Sequence, residues 1–151
     1  MPPQTSSAGP TADSGHPDRR ERPESLRLRS FAPSLTVDDL ARSLRFYEDA
    51  LGFTVDERWE EEGELRGVML VAGSCHLGLS QDDFAKGRDR TKGVGFRLWA
   101  ETAQDLDALA ARLRDHGVEP DGPKTEPWGA RTLTVEDPDG YKVTFTPPEG
   151  E

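Results

Sequence analysis

The chain has 151 residues, enough for one domain, with 33% apolar and 32% charged residues, a formal net charge of -10 and a single cysteine, Cys75. No stretch approaches the roughly 20 apolar residues of a membrane span or the roughly 7 to 15 of a secretory signal, so the sequence predicts a cytoplasmic protein with no membrane partner. One cysteine excludes an intrachain disulfide and a cysteine-based zinc site. The first thirty residues carry one net positive charge and the remainder carries -11, so there is no basic footprint and nucleic acid is not an expected partner. An acidic surface serves solubility and would also steer a cationic ligand.

Residues 1–26 combine Pro2, Pro3, Pro10, Pro17 and Pro23 with Ser, Gly and charge, and they read as a disordered tail. From Leu28 the texture changes. An extended run over 31–37 leads to Asp38 and Asp39, either of which can cap a helix. Leu40, Leu44, Tyr47 and Leu51 then form one apolar stripe, and Gly52 stops the helix. Residues 53–59 read as a strand ending in an acidic turn over 60–64. Strands over 65–72 and 75–80 flank the hairpin signal Gly73-Ser74. The first half is therefore β-α-β-β-β.

After a polar linker, 81–92, the plan repeats. A strand over 93–100 precedes a capping-box-like start at Thr102 and Asp105; Leu106, Leu109, Ala110 and Leu113 form the stripe, and Gly117 ends it. Strands over 130–136 and 141–146 are joined by Asp137-Pro138-Asp139-Gly140, a type I turn signal. The register between the halves is about 65 residues, taken from Gly52 with Gly117 and Gly73 with Gly140, and a repeat of this length inside one domain is informative.

Two separated motifs carry a resemblance: 35–40 followed by Ser43-Leu44-Arg45-Phe46-Tyr47 and Leu51-Gly52-Phe53, then Pro127-Trp128-Gly129 and Glu136-Asp137-Pro138-Asp139-Gly140-Tyr141. Over 28–147 the chain resembles the vicinal oxygen chelate superfamily, which includes glyoxalase I, extradiol dioxygenases, fosfomycin-modifying enzymes and bleomycin-resistance proteins. The resemblance implies an α+β domain over 27–149, in which two tandem β-α-β-β-β modules (27–80 and 93–149) form a curved mixed sheet around a cavity, often completed across a homodimer.

In metal-dependent members of the superfamily, ligands sit on the first and last strand of each module. Carried onto this chain, those positions are Ala32, Gly78, Val94 and Thr144, none of them His, Glu or Gln, so no metal and no cofactor are expected. The metal-free bleomycin-resistance type is the nearest in kind. Its match rests on Ala32-Pro33-Ser34-Leu35-Thr36, on Pro127-Trp128-Gly129 followed by Arg131, and on 77–80 in place of a ligand strand. Asp56 matches an acidic position of that type; Glu57 stands where it has an aromatic, with Trp59 nearby.

The candidate ligand-binding residues follow from these patterns. Trp128 lies in a loop where no periodicity demands a core residue. Trp99 shares a strand face with Arg97 and Gly95, opposite Phe96 and Leu98. Trp59 ends a strand beside an acidic turn, an exposed place for an indole and suited to ligand or dimer contact. His76 is either an ordinary strand histidine or borders the cavity, on the face of Gly78. Neighbouring Cys75 points to the opposite face, and His116 sits in the last turn of the second helix, where a cation favours the dipole. The linker is either a solvated connector or a flap that closes Phe84 over the cavity and brings Arg88 or Arg90 to an anionic substrate. These readings favour noncovalent binding of a small organic ligand, including sequestration of an antibiotic or toxic metabolite. Two alternatives stand beside it. One is a glyoxalase-like lyase or isomerase using Asp56, His76 or Arg131 as protein acid-base groups; the other is an interaction module whose tail recruits a partner.

Overall fold

The computed structural model describes residues 26–148, and the segment read as a disordered tail lies outside the described residues apart from Leu26. A compact unit begins at Ala32. Its elements, in order, are β1 (Ser34–Val37), α1 (Leu40–Leu44) continued by a π-helical segment (Arg45–Leu51), β2 (Thr54–Glu61), β3 (Glu64–Ala72), β4 (Cys75–Gln81), β5 (Arg97–Glu101), α2 (Leu106–Asp115), β6 (Asp121–Thr125), β7 (Arg131–Glu136) and β8 (Lys142–Thr146). Among the described residues no helix is long and apolar enough to cross a membrane.

The fold is α+β, with two four-stranded mixed sheets, one per module. The orders β1-β4-β3-β2 and β5-β8-β7-β6 are the same path traced twice. In each sheet the first strand runs parallel to the last, Ser34 beside Gly78 and Trp99 beside Thr144, while the remaining pairs are antiparallel. The internal repeat visible in the sequence is thus a repeat of topology.

Alternation along the strands decides which face is buried. Leu35, Val37, Val68, Leu70, Leu77 and Leu79 of the first sheet, and Leu133, Val135 and Val143 of the second, join the helix residues Leu40, Phe46, Tyr47, Leu106, Leu109, Ala110 and Leu113 in one apolar cluster. Each buried Val, Leu or Phe among them stabilises the fold by roughly 1.5–3 kcal/mol. The α2 stripe is buried as its 3.6-residue spacing requires. In the first helix the π-helical turns widen the spacing. Phe46 and Ala50 therefore go into the core with Tyr47, while Leu44 and Leu51 are only partly buried. Asp39, not Asp38, caps α1 by accepting from the Arg42 amide at 3.2 Å, and Gly52 takes φ 97° to end the helix.

Several boundaries differ from the sequence reading. The first strand starts at Ser34, and β2 continues through Glu61, which pairs with Glu64, so the turn is only Glu62 and Gly63, both at positive φ. β5 starts at Arg97 because Gly93 and Gly95, at φ 77° and 70°, turn the chain before it. The strand β6 has no counterpart in the sequence reading. Its DGPKT carries Gly122, Pro123 and a register shift, none of which resembles an alternating strand.

The modules are joined by polar contacts around the β7–β8 turn. The Tyr47 hydroxyl donates to Asp137 at 2.7 Å, the Asp38 amide donates to Asp139 at 3.1 Å, and the Tyr141 hydroxyl donates to the Thr36 carbonyl at 2.8 Å. Arg112 of α2 donates to the carbonyls of Ala50 and Asp49 at 3.1 and 2.9 Å, satisfying the open end of the first helix. Lys92 bonds Asp38 and lies 2.9 Å from Asp82.

Candidate functional site: the outer face of the second sheet

With the apolar face of β5-β8-β7-β6 turned to α2, the other face presents Arg97 and Trp99 from β5, Lys142 and Thr144 from β8, and Thr134 and Glu136 from β7. The register aligns Trp99, Thr144 and Thr134 in one row and Arg97, Lys142 and Glu136 in the next. A cavity of about 620 Å³ opens on this face, walled by Trp99, Trp128 and Arg97 and reached by Lys124 and Glu126. Trp99 is 44% exposed and Trp128 is 66% exposed. Trp128 is presented by the turn before β7, where the Gly129 amide donates to the Glu126 carbonyl at 2.8 Å and Gly129 takes φ 100°.

The floor is hydrogen-bonded. Arg97 Nη1 donates to Thr144 Oγ1, and the Thr134 and Thr144 hydroxyls lie 2.8 Å apart. The Arg97 guanidinium also lies 6.0 Å from the Trp99 ring centre, within cation–π range. Thr144 is 1% exposed, so its buried hydroxyl holds Arg97 beside the indole. Thr132 at the next row donates to Glu126 at 2.6 Å.

Of the candidate ligand residues, the structure brings together Trp99, Trp128 and Arg97. The others lie elsewhere. Arg131 is engaged by Asp107 of α2 at 2.9 Å. Trp59 is 47% exposed on the outer face of the first sheet, where it lies over Gly67; a Cβ on that glycine would meet Trp59 Cε3 at 3.2 Å. His76 is exposed on β4 and pairs with Val71; Asp56 sits in a bulge of β2, with β3 between the two strands. Asp56, His76 and Arg131 thus do not form one acid-base constellation. Phe84, at φ 59°, is stacked under Arg88 at 4.3 Å and faces a second hollow beside α1, bordered by Leu40, Leu44 and Leu65. It does not line the tryptophan cavity. Lys142 and Thr134 escaped the sequence reading; the signal was their alternation with Val143 and Val135.

The four positions that correspond to metal ligands offer little donor chemistry. Gly78 has no side chain, Val94 is 79% exposed in the turn before β5 and Ala32 precedes β1. Thr144 already shares its hydroxyl with Arg97 and Thr134. The residue beside Thr144 is Trp99. Such a set does not fit a divalent ion, which needs several N or O ligands. Among the described residues no group of three His, Cys, Asp or Glu is placed to hold a metal.

Comparison with known proteins agrees with this architecture. Residues 27–145 match the sequence profile of the Glyoxalase/Bleomycin resistance protein/Dioxygenase superfamily. The chain is 30% identical over 114 residues to the uncharacterized protein YaeR of Escherichia coli (strain K12), covering 73% of this chain and 88% of that one. Among solved structures it is similar to TnmS3, an antibiotic binding protein from Streptomyces sp. CB03234, with a TM-score of 0.63 and 28% identity over 82% of this chain and 98% of the other. A glyoxalase/bleomycin resistance protein from the same organism gives a TM-score of 0.59 and 29% identity, covering 76% and 96%. The profile match spans both modules, and on that ground the chain belongs to the glyoxalase/bleomycin resistance protein/dioxygenase superfamily.

Proposed function

We propose that the chain binds a small organic molecule noncovalently on the outer face of the second sheet, without a resident metal or cofactor, and thereby sequesters an antibiotic or toxic metabolite in the cytoplasm. The observation that carries this reading is the pair Trp99 and Trp128, two large apolar side chains left exposed around one cavity. Core packing does not account for them, and indoles at a cavity rim are typical anchors for flat ligands. The similarity to an antibiotic binding protein supports the same class of activity. A fluorescence titration with flat aromatic compounds tests it: saturable quenching without chemical change of the ligand is the expected result, and turnover would refute it.

A homodimer completes this proposal. The first sheet also exposes an indole, Trp59, on its outer face, and the edge strand β1 is preceded by Pro33, which cannot donate to a ladder. A second copy covering these faces would remove apolar surface from water. Sedimentation should show a dimer at micromolar concentration; a stable monomer would refute the assembly.

A further inference from the structure

The cavity walled by Trp99 and Trp128 does not end at those indoles. Its far border is the row Arg97, Lys142 and Glu136, and the same three residues border a second cavity of about 790 Å³, which continues along Arg90 and the turn 93–96. The row is therefore the divide between two adjoining hollows.

Its charges are out of balance. Arg97 and Lys142 are direct cross-strand partners in a parallel pair, an arrangement that places two cations side by side and destabilises a sheet. Among the described residues neither has a carboxylate within the 4.0 Å of an ion pair. Of the other acidic residues of the first cavity, Asp121 pairs with Lys124 at 3.2 Å and Glu119 with Arg114 at 3.1 Å, while Glu126 accepts from the Thr132 hydroxyl and keeps its charge at the Trp128 end. In the second cavity Lys92 is held by Asp38 and Asp82, and Asp139 by Arg42 and the Asp38 amide. What remains at the divide is Arg97 and Lys142 against Glu136, with Arg90 beyond. Arg97 commits one N–H to Thr144 and keeps others free in a planar fork.

We infer that the ligand is an aromatic anion: a flat ring system between Trp99 and Trp128 whose oxyanion, a carboxylate or an equivalent acidic oxygen group, lies on Arg97 and Lys142 with any extension running toward Arg90. The inference rests on the proposed binding role and specifies its ligand class. It reverses the expectation drawn from net charge, since a chain at -10 sets two adjacent cations, neither in an ion pair, where the ligand would sit.

The test compares three probes that share one ring: anthracene-2-carboxylate, anthracene-2-carboxamide and 2-(aminomethyl)anthracene. Each is titrated by tryptophan fluorescence into the full chain and into Lys142→Gln, with thermal melts to verify that the variant is folded. Because a charge-assisted hydrogen bond separates an ionised from a neutral acceptor, the carboxylate should bind about tenfold more tightly than the carboxamide. Lys142→Gln should shrink that preference by about threefold or more, and salt between about 50 and 500 mM should weaken the carboxylate more than the carboxamide. Equal or tighter binding of the carboxamide or the ammonium probe, or a preference that survives Lys142→Gln, would overturn the inference while leaving the aromatic cavity intact. No binding by any of the three would overturn the binding reading itself and this inference with it.

Discussion

The Tyr47 hydroxyl and the Asp137 carboxylate meet at 2.7 Å across 90 positions of sequence, one within the π-helical part of the first helix and the other at the start of the β7–β8 turn. Both groups are buried. Burial raises the Asp137 pKa above the usual carboxylate range, with the Tyr47 bond and the amides of Tyr141 and Asp139 working against it; burial and the nearby Asp137 raise that of Tyr47. Tyr47→Phe should cost about 1–3 kcal/mol at neutral pH, the usual loss when a buried acceptor keeps its charge but loses a donor. The bond favours the ionised carboxyl, so the gap between wild type and variant should narrow as pH falls through the Asp137 range. Chemical denaturation at several pH values measures this; a gap independent of pH would refute it.

Lys92 gives a prediction at the other end of the scale. Its bonds to Asp38 and Asp82 raise its pKa, and the Lys92 bond lowers that of Asp82. A raised lysine contributes stability below the unfolded value of about 10.4, and that contribution is lost as pH rises through the folded value. A lowered carboxyl contributes above about 3.9, and its share is lost as pH falls through the folded value. Lys92→Met should therefore lower the melting temperature at pH 7 and flatten the alkaline limb of the melting profile, leaving the part due to Tyr47 and Tyr141, whose burial raises both. An alkaline limb identical to wild type would refute the assignment.

Gly93 sits against the β7–β8 turn so closely that a Cβ would lie 2.4 Å from the Gly140 carbonyl carbon and oxygen. The obstacle is backbone, and Gly93 is also at φ 77°. Gly93→Ala should cost more than about 2 kcal/mol through clash and left-handed strain together. At Gly95, also at positive φ but with open space around it, the same change should cost only the roughly 1–2 kcal/mol of the conformation. Equal losses at the two sites would show that the contact is relieved by a small shift.

Trp128, at 66% exposure, contributes little to the core. Trp128→Ala should change stability by less than about 0.5 kcal/mol while weakening an aromatic ligand by about 2 kcal/mol or more, as loss of an anchoring indole does. A melt and a titration on one variant check both halves. A large melting loss with unaltered affinity would assign the indole to packing.

The helical stripes and hairpin turns were readable because a single period governs each of them. The four residues of α2 needed only 3.6-residue spacing. The first helix was misread in part because the switch to π-helical bonding, which brings in Phe46 and Ala50, leaves no periodic signature shorter than the segment itself. β6 was invisible for the opposite reason: Gly122 and Pro123 are breakers in isolation and are tolerated only because β7 is already there to pair with. The site divides in the same way. Arg97 and Trp99 were legible from alternation within one strand, and Trp128 from its lack of any periodic duty. Their grouping with Lys142 and Thr134 depends on the β5-β8-β7 order, which is a long-range fact. The flap reading of the linker sets Phe84 over the cavity and the family resemblance sets Arg131 beside it, and each is held elsewhere by a partner, Arg88 and Asp107, that sequence spacing does not reveal.

The polar bridge between the modules also bears on how the chain reaches its native state. Within the first module the helix start is tied to the end of β4 by a bond spanning 41 positions, Leu40 to Gln81. The ties that reach across to the β7–β8 turn span 90 to 105. Loop-closure entropy grows only slowly with length, but non-local pairing must wait until both partners exist. Each half can therefore assemble its own sheet before Tyr47, Asp38 and Thr36 find the β7–β8 turn. Docking at that turn would then be the late event in folding, and on a growing chain Tyr47 stays unpaired until Asp137 has been synthesised.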